Sequence, residues 1–267
     1  MPPPACAGKA EGVNPRAEMA LIVFMATIFS APARHADRSF FTAMGIAVAT
    51  LVFAGFARTY YLASWWPQPE RAPEMTATLH LHAAAFTLWI LLQAAQPALV
   101  AADRRDLHRT LGWAGAGLAA AVWMLGNLAA AEAMDGGFRT LGDPRAFYAV
   151  TFFSIQAFAL IVLLGILRRG DADTHKRLML LSSASILEAA AGRLPFPIVA
   201  ETAPLSFYLG ADWVILAGIV YDRASRGRIH AVWLWGGGLL VLSQLLRLAI
   251  METGPWLAFA GWVDAIT

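Results

Sequence analysis

The chain has 267 residues, 58% of them hydrophobic and 14% charged, whereas soluble domains carry about a quarter charged residues. The net charge of +2 is too small to point to nucleic acid as a partner. Cys6 is the only cysteine, which excludes an intrachain disulfide and any cysteine-held metal or iron–sulfur centre.

Residues 1–38 open the chain. Met19–Phe29 is an apolar run followed by Ala31-Pro32-Ala33, the form of a signal-peptide core and its small-residue cleavage site. We read this stretch as an N-terminal arm or extra helix on the membrane; a start assigned too early is the other reading. Residues 39–267 read as a single transmembrane domain. Seven apolar runs follow in order: Phe40–Phe56, Ala77–Ala101, Thr110–Ala131, Ala146–Leu167, Leu178–Val199, Pro204–Tyr221 and Ala231–Met251. Runs of about 18 residues or more cross a hydrocarbon core of ~30 Å as helices, and helices satisfy their backbone polar groups internally. A barrel would need short alternating strands. The expected fold is therefore all-α, a polytopic bundle of about seven spans with short antiparallel connections. Trp256–Val263 is too short to cross and is expected at the surface or as a re-entrant segment.

Basic residues give an orientation. With the first span starting in the cytoplasm, the segments on that side hold twelve Lys and Arg residues and the opposite segments five. The positive-inside rule then places the amino end in the cytoplasm and the carboxyl end outside.

Three connections at the basic end lead into outward-running spans through similar strings: Asp106-Leu107-His108-Arg109, Asp173-Thr174-His175-Lys176-Arg177 and Arg228-Ile229-His230. The pattern suggests duplicated helical hairpins. Asp106 and Asp173 stand where a carboxylate caps free N–H groups. His108 and His175 begin non-adjacent spans and can face one another, and two histidines from different helices can serve as opposite axial ligands of haem iron. Interfacial anchoring beside Lys and Arg is the alternative for both.

The opposite half gathers polar residues inside the spans, where an ionisable side chain is costly unless it faces the bundle interior or a wet cavity. They are His80 and His82, Asn127, Glu188, Arg193, Asp212, Gln244 and Arg247. Two acids and two arginines allow mutual neutralisation. The group reads either as a structural network or as a pocket for a polar ligand. His80 and His82 are two positions apart, so a regular helix turns them to different sides, and no simple metal site follows. Gln93, Gln96 and Gln156 suit interhelical hydrogen bonds, and Pro97 predicts a kink. The glycines of the spans, Gly112, Gly115, Gly117 and Gly236-Gly237-Gly238, suit close helix packing.

The string His80-Leu81-His82, the turn His108-Arg109-Thr110-Leu111-Gly112 and the turn His175-Lys176-Arg177-Leu178-Met179 together resemble a family of bacterial predicted multi-pass membrane proteins of unknown function, over roughly residues 40–260. A looser likeness is to the four-helix cores of b-type cytochromes and ferric-reductase-like proteins, which implies haem b on paired histidines. This chain departs from that pattern: the outer side offers only His80 and His82, both on one helix. Three functions follow as expectations. The first is haem- or quinone-linked electron transfer. The second is binding or transport of a small polar ligand. The third is an accessory role, with other subunits of a respiratory or photosynthetic membrane complex, or a second copy, as partners within the bilayer. No Gly-x-Ser-x-Gly elbow or His-Glu-x-x-His motif marks a hydrolase.

Overall fold

The computed structural model describes residues 33–66, 75–135 and 142–267, so the signal-like segment Met19–Phe29 lies outside the described residues. Within them every regular element is helical. In chain order they are α1 (Ala33–Phe56), α2 (Ala77–Ala101), α3 (Arg105–Glu132), α4 (Pro144–Leu167), α5 (Ala172–Ala191), the short α6 (Pro197–Glu201), α7 (Leu205–Arg226), α8 (Gly238–Ile250) and α9 (Gly254–Asp264). A π-helical turn, Ala57–Tyr61, extends α1, and another, Val232–Gly237, leads into α8.

Six of these helical stretches are long and apolar enough to cross a membrane. Leucines at 81, 88, 91, 160, 163, 209, 216, 239 and 242 stay more than half or nearly half exposed on their outer faces, as lipid-facing side chains do. The chain is an integral membrane protein. The expected seventh span is α5, and it is not one of the six. It carries Asp173, Lys176, Arg177 and Glu188 and three serines between Ser182 and Ser185, so composition alone does not mark it as a crossing helix. The reason is its position: α5 packs against α1, α4, α7 and the π-turn before α8, and its residues from Arg177 to Ala191 are almost all buried. It also ends at Ala191 rather than Val199, with α6 formed separately beyond Pro195.

Local chemistry sets the helix ends. Thr76 accepts from the Leu79 N–H at α2, and Asp143 caps α4 with Pro144 in the first turn, where a missing N–H costs nothing. Asp171 caps α5, accepting from the N–H groups of Asp173 and Thr174. The expected caps are thus corrected: Asp106 and Asp173 lie inside the first turns of α3 and α5, where their charges meet the helix dipole, and α3 has no side-chain cap. α2 stays helical through Pro97 to Ala101. Gly227 closes α7 at φ 68°, a left-handed conformation that glycine takes without strain.

Small residues bring the central helix close to its neighbours. A Cβ on Gly55 of α1 would stand 2.8–2.9 Å from the backbone of Ala190, whereas one on Gly117 of α3 meets nothing within 4 Å. Gly55→Ala is therefore expected to lower the detergent-solubilised protein's stability by about 1–3 kcal/mol, the usual cost of overpacking. Gly117→Ala should leave thermal unfolding unchanged or slightly raised. Equal midpoints for the two variants would show that the α1–α5 contact is not tight.

Candidate functional site

At the basic end α3 and α5 stand diagonally across a ring of four helices, α2, α3, α4 and α5, in which sequential neighbours pack together. His108 and His175 occupy their first turns. Their half-buried rings lie 6.3 Å apart between centres with planes at 88°. His175 donates from Nδ1 to the Gly165 carbonyl of α4 at 2.8 Å, which fixes the ring and leaves Nε2 facing away from that bond. The Gln96 amide of α2 lies against His108. Turned with its nitrogen to the ring, it reaches Nδ1 at 2.5 Å and the His108 carbonyl at 3.2 Å, while its oxygen accepts from the Gly112 N–H at 3.2 Å. One turn away on α2, Gln93 donates to the Met179 carbonyl of α5 at 2.7 Å. The glutamines thus hold the two histidine-bearing helices through α2. Beside His108, a Cβ on Gly112 would meet nothing within 4 Å.

The pairing of His108 with His175 is as the sequence suggested. Sequence reasoning missed what surrounds it. Arginines at helix ends are usually solvated, yet Arg177 is fully buried and pairs through two nitrogens with Asp222, itself buried. Asp37 of α1 accepts from Lys176 at 2.6 Å, from the Tyr221 hydroxyl at 2.6 Å and from Arg226 at 2.6 and 2.7 Å. Arg226 also reaches Asp222 at 3.0 Å. These side chains tie α1, α5 and α7 at one level. The available signal was spacing: Asp173 with Arg177, and Asp222 with Arg226, are four apart and share a helix face. A cavity of about 220 Å³ opens beside them, lined by Asp171, Asp173, Arg226, Arg228 and His230. Burial, with the nearby Arg177 charge, lowers the basicity of His230.

In the opposite half, part of the expected constellation comes together. Arg247 of α8 donates to Glu188 of α5 at 3.2 Å, to Ser154 of α4 at 2.6 Å and to Ser243 at 3.1 Å. Ser154 also hydrogen-bonds Glu188 directly. Gln244 donates to Asp212 of α7 at 3.0 Å. Glu188, Gln244 and Arg247 are at most 5% exposed. The other residues stand apart. Arg193 donates to the Ala189 carbonyl at 2.6 Å and lies over Phe56, and among the described residues only Glu188 of the two acids forms an ion pair, with Arg247. Asn127 accepts from Gln156 at 2.8 Å, and Gln156 accepts from Trp123 at 2.8 Å, a separate group between α3 and α4. His82 packs on Phe86 with its Nδ1 buried, while His80 is exposed near Tyr60. The two point apart, as a two-residue spacing on a helix requires. Among the described residues no group of three or more His, Cys, Asp and Glu side chains is placed to hold a metal ion.

Comparison with family models, with curated proteins and with solved structures gave no match.

The Asp173 carboxyl, at the mouth of α5, is held down at about 2, chiefly by its hydrogen bond to Lys176, against a smaller opposing effect of burial. A carboxyl depressed in the folded state contributes stability that is present above its unfolded value of ~3.9 and lost as pH falls through the folded value. Asp173→Asn should therefore unfold at a slightly lower temperature than the parent protein at neutral pH, a small effect because the site is half open to solvent. The gap should close as pH drops from about 4 towards about 2. A gap that persists unchanged through that window would mean that Asp173 acts through packing and not through its charge.

Proposed function

We propose that this protein carries electrons within the membrane, and that His108 and His175 would hold a haem-type group for that purpose. The observation that carries the reading is their juxtaposition: two imidazoles from diagonal helices, 6.3 Å apart, one pinned through Nδ1 to a backbone carbonyl. A bare ion held by protein alone takes three or four ligands, and the described residues provide no such group. Haem iron needs no more than two ligands from the protein, and the histidine pair would provide them.

When bound, the group would supply one-electron chemistry. The chain's own part is positional. Gly165 fixes the tautomer of His175, since the nitrogen that donates to its carbonyl carries the proton and Nε2 keeps its lone pair. Gln96 does the opposite at His108 while it donates to Nδ1, so ligation through Nε2 requires the amide to turn over and accept from a protonated Nδ1. The basic end faces the cytoplasm in this reading, supported by the twelve-to-five distribution of Lys and Arg. The outer cluster is less apt as a ligand pocket, because its own ion pair occupies the centre of it.

The test is a visible absorption spectrum of protein produced with haem available and purified in detergent, oxidised and then dithionite-reduced. A Soret band with α and β bands that sharpen on reduction is expected. His108→Ala and His175→Ala should each abolish it while retaining cooperative thermal unfolding, and Glu188→Gln should keep it. A flat spectrum from folded protein would overturn the reading.

A further inference from the structure

We infer that the cluster of buried Glu188 and Arg247 with partly buried Asp212 is a proton-binding site, holding one exchangeable proton between its two carboxyl groups within the membrane. The argument is independent of the haem reading and rests on charge, burial and unfilled hydrogen-bonding capacity. Two carboxylates face one guanidinium, which leaves one negative charge if both acids are ionised. Arg193, the other cation of this half, is turned to Ala189 and Phe56, and among the described residues Glu188 has an ion pair only with Arg247 and Asp212 has none. An uncompensated charge at such a depth costs several kcal/mol, and a carboxyl group avoids it by taking up a proton.

The groups around the pair are few. Glu188 hydrogen-bonds Ser154 of α4 and pairs with Arg247 of α8, and Asp212 and Tyr208 of α7 are near enough to act on it electrostatically. α1 meets α5 at this level through Gly55 against Ala190. Asp212 accepts from Gln244 of α8 and lies within the electrostatic reach of Arg247. Glu188 has the stronger claim to the ionised form, since it accepts from both Ser154 and Arg247. Asp212 receives only the neutral Gln244 amide on Oδ1, so its other oxygen carries the proton.

A second observation marks the cluster as a place where a small species is bound. Tyr208, 2% exposed, sits one turn from Asp212 on the same face of α7 with its ring 5.8 Å from the Arg247 guanidinium. Among the described residues its hydroxyl and the Arg247 Nε–H, both buried, have no well-formed hydrogen bond to another group. Two orphaned donors aimed into a site with a proton to exchange suit a bridging water that accepts from both and donates to a carboxylate. Proton movement then balances simply: Asp212 gives its proton to the water, the water gives one to Glu188, and no other reactant is needed.

The site is tested by infrared difference spectroscopy of the protein reconstituted in liposomes at neutral pH, reading the C=O stretch of protonated carboxyl groups and its shift on exchange into D₂O. The parent protein should show one such band, exchangeable with deuterium. Glu188→Gln and Asp212→Asn should each abolish it, because either change leaves one carboxylate balanced by Arg247. Arg247→Gln should roughly double it where that variant folds; the other two variants decide the matter if it does not. Absence of the band in the parent protein, or its survival in either single acid variant, would overturn the assignment.

Discussion

A helix bearing Asp173, Lys176, Arg177 and Glu188 cannot face hydrocarbon, and the rest of the structure follows from hiding it. Each of those side chains would cost several kcal/mol against lipid, so α5 lies inside a wrapping of α1, α4, α7 and the segment before α8. The six apolar helices gain little from association with one another, because lipid tails solvate leucine as well as leucine does. Burying the polar faces of α5 gives them a reason to assemble in one arrangement. The contacts fit that role: serine and alanine on α5 admit close neighbours, and Gly55, Gly210 and Gly236 come to its surface with no room for a side chain.

Each end of α5 is then closed by charge. Arg177 with Asp222 and the Asp37 group bind the basic end to α1 and α7, while Glu188 with Arg247 and Ser154 binds the other end to α4 and α8. Buried ion pairs are poor sources of net stability, since desolvation offsets most of the attraction. Their value here is register. Sliding α5 by one turn against α7 would strand Arg177 and Asp222 in hydrocarbon without partners, which hydrophobic contacts alone would not forbid. Between the two charged levels lies an apolar layer that includes Trp89, Phe158, Leu181, Ala184 and Val214, with Trp89 and Phe158 edge to face at 5.1 Å.

The helical architecture was legible because lipid leaves one period and one length to look for. Six spans declare themselves by apolar runs; α5 is readable only as a shorter run with ionisable interruptions, and its true limits depend on partners that sequence does not place. The pairing of His108 and His175 was visible as two similar turns at the same membrane level. What could not be read was selection among the outer polar residues. Glu188, Arg193, Asp212 and Arg247 lie at similar depths, but depth is only one coordinate. The angle about each helix axis separates Arg247, which faces Glu188, from Arg193, which turns back on its own helix. The basic-end network was missed for a related reason: arginines at helix ends are usually solvated, and only the convergence of Asp37, Tyr221 and Asp222 from distant segments buries these.

The two chemical levels are tied to one rod, which sets how strongly they can influence each other. His175 and Glu188 are thirteen residues apart on α5, about 20 Å along its axis at ~1.5 Å per residue. Two unit charges at that separation interact by roughly 0.8 kcal/mol at an effective dielectric constant of ~20. An electron arriving at the histidine pair would therefore change the proton affinity of the Glu188 cluster only slightly through space. Stronger coupling would have to be mechanical, through a shift of α5 against α4, because Gly165 holds His175 and Ser154 holds Glu188 on that same helix. The close packing and the register imposed by the ion pairs oppose such a shift. For the two sites proposed, the geometry thus favours nearly independent action, with the apolar layer holding the histidine pair and the Glu188 cluster apart.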